Sequence, residues 1–367
     1  MPAATSQTWA HLNSLLNSTV PIRVKHAVET YFKQNRVLSL LTKEKRVDVK
    51  KDGGLGIIVP LLINQNGTIK FRSLDNDPPL QIQEWRTNAY FPYGTLTGAL
   101  TFKESELWPN MGEGKLADII DPQVDQALMT IKKHLNWAMV RGASGQAAAS
   151  DNPVADSSAL ILGLRDGITG HGTALYPSTY GGLNPASGGD TDVSEWKAAE
   201  RRNATNGGVP RLIPNMDNVL NGTVHGENKV KLILTSQAGA ELYAQQVYPN
   251  VQRISYEGAG ETVFSGYNFN GLPVDWDDQC LPFLTAEKPA SGWNGTADPP
   301  NTARMYFFAP GSARFWWHPS HNLGNAIHKD WRVPESGFRR SKMISLLGQF
   351  LIEDRRSNGL LWDIDVS

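Results

Sequence analysis

The sequence predicts an α+β protein, in which helices and strands alternate without the regular spacing of a doubly wound sheet. Two observations carry this reading. An amphipathic helix is written between Asp121 and Arg141, long enough to form the backbone of a lobe. Around it, short runs of branched and aromatic residues are separated by turn residues. The 34 Gly and 22 Pro in 367 residues are too many for a helical bundle.

Composition removes several function classes. A chain of 367 residues is expected to form two or more lobes. Its 35 basic and 36 acidic side chains give a net charge of −1, with no global signal for nucleic acid. A single cysteine, Cys280, excludes an intrachain disulfide framework and fits a reducing cytoplasm. The start MPAATSQTWAHLNS lacks a basic-then-apolar signal pattern. No apolar run approaches the roughly 20 residues of a membrane span, so no membrane partner is expected.

The elements follow in order. Residues 1–43 read as an arm. Trp9, Leu12, Leu15 and Leu16 recur at helical spacing, and after Pro21 so do Val24, Val28, Tyr31, Phe32 and Leu38. This segment is either a helical hairpin on its own domain or an arm for a neighbour. Residues 44–108 change period. Arg46 to Lys50 alternates, Leu55 to Ile63 is apolar and branched, and Asn66-Gly67 is a strong hairpin turn signal. Thr68 to Leu74 alternates again, and Tyr90 to Phe102 is extended. These hairpins carry little core of their own, and a lone hairpin is marginal in water. That favours completion by a partner.

Asp121 and Pro122 mark a helix start, as capping carboxylate and first helical residue. Val124, Leu128, Ile131, Leu135 and Met139 line one face, with Lys132, Lys133 and Asn136 off it. The helix is expected to end at Arg141-Gly142. Residues 142–158 form a small-residue loop, and 169–215 a long Gly-, Pro- and Asn-rich one of a size that usually contacts something. A last lobe starts near Met216. Lys229 to Thr235 reads as a strand, and Ser236 to Val247 as a helix capped by Thr235 or Ser236. Arg304 to Phe308 and Lys342 to Ile352 read as strands.

No arrangement demands chemistry. His318 and His321 have metal-ligand types, but Pro319 between them breaks helical geometry. Gly258-Ala259-Gly260 lacks the third glycine of a dinucleotide fingerprint. Asp275, Asp277 and Asp278 cluster beside Trp276, as acidic residues at a strand end do when solvated or paired with Arg. Phe315-Trp316-Trp317 is the densest aromatic group, either a sugar platform or core packing. The chain is therefore not expected to be an enzyme or to hold a cofactor. Basic side chains gather at residues 43–51 and again at Arg339, Arg340, Lys342, Arg355 and Arg356.

A resemblance adds to this reading. Tyr180-Gly181-Gly182-Leu183-Asn184 is followed by Trp196. A strand ending in Thr235-Ser236 precedes a helix with Tyr243 in its middle. Phe269, Gly271, Pro273, Val274, Trp276 and Asp277 form a phrase, and GQFLIEDRRSNGLLWDI closes the chain. In this order and spacing, over about two thirds of the chain, the segments resemble the major capsid proteins of tailed bacteriophages, with the Hong Kong 97-type shell fold.

The resemblance implies four parts. They are an N-terminal arm at 1–43, an extended β-hairpin loop at 44–108, a peripheral domain at 109–215 and 336–367 with a long spine helix near 121–141, and an axial domain at 216–335. It implies a subunit that assembles with copies of itself as hexamers and pentamers into an icosahedral shell around double-stranded DNA. Contacts between subunits are expected from Trp9, Leu12, Leu16, Val28 and Phe32 in the arm, and from Lys50, Lys51, Asn66, Gly67 and Lys70 in the loop. Tyr180, Gly181, Gly182 and Trp196 are the third group. Arg339, Arg340, Arg355 and Arg356 are expected to face DNA, without sequence preference, or to pair with acids.

The chain reaches the arm within a few residues, which implies a separate scaffolding protein, beside a portal and a decoration protein. The expected location is the virion capsid, assembled in the bacterial host cytoplasm. The rival readings are an encapsulin-like cellular shell protein and, from another class, a soluble carbohydrate-binding protein or hydrolase.

Overall fold

A computed structural model of the chain describes residues 36–49, 54–62, 68–71, 73, 86–103, 120–142, 160–168, 180–183, 196–203, 211–247, 267–280, 302–321 and 339–365. Its elements are helix α1 (Arg36–Lys43), strands β1 (Val47–Val49), β2 (Gly56–Leu62), β3 (Arg86–Pro92) and β4 (Gly94–Lys103), and helices α2 (Ile120–Arg141) and α3 (Leu164–Gly167). Then come β5 (Ala199–Arg202), α4 (Leu212–Gly222), β6 (Leu232–Thr235), α5 (Gln237–Val247), β7 (Tyr267–Phe269), β8 (Leu272–Trp276), β9 (Thr302–Phe308), β10 (Ala313–Trp317), β11 (Arg339–Ile352) and β12 (Gly359–Asp365). The residues fall into two units. One draws on Leu96–Leu135 and Ser320–Leu346, the other on Arg36–Thr95, Asn136–Pro319 and Leu347–Ser367.

The larger unit is built on a six-stranded mixed sheet in the order β5-β12-β9-β6-β8-β7. β9 lies antiparallel to both β12 and β6, while β6 runs parallel to β8. Ile233, Val274, Met305, Phe307, Leu361 and Ile364 from its strands meet Leu212, Met216 and Val219 of α4 and Tyr243 of α5 in one core. The sequence expectation of a strand followed by a capped helix holds here. Ser236 is the cap, its Oγ accepting the Gly239 N–H at 3.2 Å, while Thr235 Oγ1 instead donates to the Arg304 carbonyl at 2.7 Å. β7 and β8 are joined through Asn270 and Gly271, both at positive φ (49° and 81°), as an Asn-Gly hairpin turn requires.

A second sheet has the order β1-β10-β11-β4. β1 is parallel to β10, pairing Val47 with Phe315, and β10 is antiparallel to β11, pairing Trp317 with Gly348. Phe315, Trp317 and Phe350 are buried. A side chain at Gly348 would have its Cβ 2.7 Å from the Phe315 ring, so the aromatic run is accommodated by a missing side chain opposite it. Phe315-Trp316-Trp317 is therefore no open sugar platform: two of its three rings lie in the interior.

The predicted helix is α2, of 22 residues and about 33 Å. Ile131, Leu135 and Met139 are buried, as its periodicity implies. One expectation fails: Asn136, placed off the apolar face, is buried, because residues 135–140 are buried on every side. In the smaller unit, the earlier part of α2 and β4 line a groove of Leu96, Leu100, Ile131, His134 and Ile344.

α2 stops at Gly142, whose φ of +66° is the left-handed geometry of a helix terminus; its N–H still reaches the Ala138 carbonyl at 2.8 Å. A Cβ there would strike the Asp166 carboxylate and come within 2.7 Å of the Gly163 nitrogen. Asp166 is needed where it is, since its Oδ2 accepts that Gly163 N–H at 2.9 Å. Gly142→Ala is expected to cost more than about 1 kcal/mol of subunit stability, read as a lower midpoint in chemical denaturation.

Candidate intersubunit interface

β2 and β3 pair antiparallel from Gly56↔Pro92 to Leu62↔Arg86. The expected turn at Asn66-Gly67 does not join this pair. The partner of the 55–63 run is residues 86–92, not 68–74, and residues 63–85 connect the strands. Period-two alternation gives the ribbon two faces. Ile57, Ala89 and Phe91 are buried on one, with Val59 and Leu61 packed beside them. On the other, Ile58 is 61% exposed and Leu62 78%, and Tyr90, paired with Ile58, is also exposed. Leu55, Ile69 and Phe71 add further exposed apolar side chains. A half-buried strand ordinarily turns polar residues to water; this one turns Ile58, Pro60 and Leu62.

The Tyr-Gly-Gly-Leu segment anchors the inward face. Tyr180 and Leu183 exchange backbone hydrogen bonds at 2.9 and 3.2 Å across Gly181 and Gly182, whose φ values of 60° and 79° favour glycine. The Gly181 carbonyl accepts the Tyr90 N–H at 2.9 Å. A Cβ on Gly181 would lie 2.7 Å from the Phe91 ring and 2.8 Å from Ala89 Cβ, so the turn sits flush on β3. The Tyr180 ring meets Phe91 edge-on at 5.0 Å, and its hydroxyl accepts the Ile352 N–H at 2.9 Å. Burial pushes the Tyr180 phenol well up, against the opposing pull of that bond and of Arg355, so the hydroxyl stays protonated.

Arg355 completes the anchor. Its guanidinium lies 5.0 Å from the Tyr180 ring centre and 5.4 Å from that of Trp196, donating to the carbonyls of Gly167 at 2.8 Å and Trp196 at 3.1 Å. Trp196 Nε1 donates to the Glu353 carbonyl at 3.0 Å. Burial pulls Arg355 down to about 10, which leaves it cationic at neutral pH. Gln349, buried on β11, adds a second tie: its side chain donates to the Pro92 carbonyl at 2.6 Å and accepts the Leu162 N–H at 2.8 Å.

The sequence-derived candidates are thus distributed unevenly. Tyr180 and Trp196 are buried inside the single chain, at 3% and 9% exposure, where they serve its own core. Gly181 and Gly182 shape the same turn. Arg355 is buried within the chain, where the aromatic rings and carbonyls around it take its charge. Arg356 is on the surface, 3.8 Å from the Asp354 carboxylate. Arg339 and Arg340 open β11, their side chains outside the described residues, and Lys70 is exposed. Trp9, Leu12, Leu16, Val28, Phe32, Lys50, Lys51, Asn66 and Gly67 lie outside the described residues. The apolar outward face of β2–β3 lies in the segment that the sequence expects a partner to complete, but Ile58, Leu62 and Tyr90 are not among the expected contact residues. Its signal was present, in a run where residues at both parities are apolar.

Among the described residues, no group of three or more His, Cys, Asp or Glu is arranged to hold a metal, and no helix is long and apolar enough to cross a membrane.

No protein-family model matches the chain, and no curated protein matches it. Solved structures do. The capsid of cyanophage A-1(L) is similar over 94% of this chain and 97% of its own, at 17% identity and a TM-score of 0.59. The chain has the Hong Kong 97-type shell fold. The SrpI encapsulin of Synechococcus elongatus PCC 7942 is similar over 95% of this chain and 98% of its own, at 10% identity and a TM-score of 0.51. The capsid of an empty GTA particle follows at 9% identity and 0.51, over 100% and 99%. At these identities the shared property is the fold.

Tyr180→Phe removes the acceptor of the buried Ile352 N–H and is expected to cost about 1–3 kcal/mol of subunit stability. With the ring kept, assembly itself should be unchanged. Denaturation midpoints and sedimentation of the same preparation separate the two; loss of particles from subunits of unaltered stability would place Tyr180 at a contact between copies instead.

Proposed function

We propose that the chain is the major capsid subunit of a phage-type shell, assembling with itself as hexamers and pentamers into an icosahedral particle that encloses double-stranded DNA in a bacterial host. A scaffolding protein, a portal and a decoration protein belong to this reading as accessory partners. The observation that carries it is the outward face of β2–β3. A subunit of shell fold that exposes Ile58, Leu62 and Tyr90 on a sheet whose other side is already packed has a surface suited to a copy of itself. Each such side chain, once covered, contributes about 1.5–3 kcal/mol. One contact of that size is weak, and a closed lattice repeats it at every subunit.

The double variant Ile58→Asp, Leu62→Asp tests the reading. Both positions are exposed in the single chain, so the subunit should stay folded, with an unchanged circular dichroism spectrum. Particles seen by negative-stain microscopy for the parent chain should be absent. Particles of normal size and yield from the variant would overturn the role of this face. A parent chain that runs as a small oligomer under every assembly condition would overturn the capsid reading itself.

The likeness to the SrpI encapsulin supports a second reading, a cellular shell around protein cargo. Particles purified from the cells that produce them distinguish the two: nuclease-protected DNA inside fits the capsid, and a co-purifying enzyme without DNA fits the encapsulin.

A further inference from the structure

In the larger unit, Asn136 on α2 faces Asp277, the residue after β8. Both are 6% exposed. Asn136 Nδ2 donates to both carboxylate oxygens, at 3.2 Å to Oδ1 and 3.1 Å to Oδ2. Oδ1 also accepts the Gln279 N–H at 2.8 Å, so Oδ2 has the amide alone. Asp277 is held in place by its own N–H, which donates to the Thr235 carbonyl at 3.0 Å. The other end of the amide is the anomaly: Asn136 Oδ1 is buried without a hydrogen-bond partner, and so is Oε1 of Gln279. A buried acceptor left without a donor costs about 1–3 kcal/mol. The pocket thus has acceptors to spare and lacks a proton.

We infer that Asp277 and Asn136 form a proton-operated clamp joining α2 to the end of β8. At low pH, a proton from solvent settles on Asp277 Oδ2. The Asn136 amide turns about its last side-chain bond, and its oxygen then accepts the new O–H. At high pH, the proton leaves to solvent, the amide turns back, and its N–H groups hold the carboxylate while Oδ1 loses its donor. The turn exchanges one unsatisfied amide atom for the other, but the protonated state buries no charge, so it is the tighter of the two.

The charged surroundings act in both directions. Burial raises the Asp277 carboxyl above its ordinary value, the Gln279 and Asn136 hydrogen bonds lower it, Asp278 raises it and Arg36 from α1 lowers it. Arg36 is already engaged by Asp275, two residues earlier on β8. Arg304 of β9 and Arg141 of α2 influence the neighbouring Cys280, whose thiol burial holds well up.

The sign follows from linkage. With its folded value above its unfolded one, Asp277 binds more protons in the folded state, so stability falls as pH rises from the unfolded value through the folded one. Amide exchange of the full chain, followed by mass spectrometry from pH 4 to 8 and corrected for intrinsic exchange, reads this directly. Peptides covering 136–142 and 274–280 are expected to exchange several-fold faster, after correction, above the transition than below it. Asp277→Asn, which mimics the protonated acid, should flatten the profile at the slow rate. Asn136→Ala removes two charge-assisted contacts to the carboxylate against one neutral bond to the acid, and should move the midpoint to higher pH. An unaltered profile in Asp277→Asn, or an unmoved midpoint in Asn136→Ala, would overturn the clamp.

Discussion

The placement of one buried cation organises the candidate interface. Arg355 is inside the chain and still charged at neutral pH, so it must be surrounded by groups that replace water. Two carbonyls, from Gly167 and Trp196, and two aromatic faces do this. Satisfying it fixes the end of α3, the segment before β5 and the Tyr180 ring at once. Tyr180 then holds Ile352 through its hydroxyl and Phe91 through its ring, and the glycine turn it begins accepts the N–H of Tyr90. The orientation of the β2–β3 ribbon on its own core therefore descends from how a single guanidinium is solvated by protein.

Much of this architecture was legible in the residues. The stop of α2 was written by Arg141-Gly142, and the positive φ at Gly142 supplies the reason for the glycine; the helix begins at Ile120, one residue before the expected Asp121 cap. The pairing of a strand with a Ser-capped helix at 232–247 was legible because hydroxyl caps act locally. Strand partners were less so. Asn66-Gly67 is a strong local signal, yet β2 pairs with residues 86–92, since the inward alternation of Ala89 and Phe91 matches Ile57 and fills the core under Tyr180. Register is set by which face is buried, and that is decided by residues 90 to 290 positions away.

The site residues show the same division. Tyr180 and Trp196 are expected from the sequence at a contact between subunits, but the sequence does not distinguish an aromatic that packs between copies from one that packs within a chain. Arg355, whose guanidinium lies over both rings within the chain, is more than 150 positions further on. Asn136 was misplaced for a related reason. Helical periodicity assigns one apolar face, whereas the end of α2 is enclosed all round, and its polar residue is matched by a carboxylate just past a distant strand.

The two-sided character of β2 also bears on the order of events after synthesis. Its inward half locks the ribbon in register, so Ile58, Leu62 and Tyr90 are displayed as a rigid pattern and little conformational entropy remains to be lost on contact. Under the proposed assembly such a surface would meet a copy without refolding, but it is bare in the single subunit. An exposed apolar sheet is equally open to misdirected association. Which neighbour arrives first, and at what concentration, then becomes part of the subunit's chemistry: productive encounters must outpace the unproductive ones that the same side chains invite.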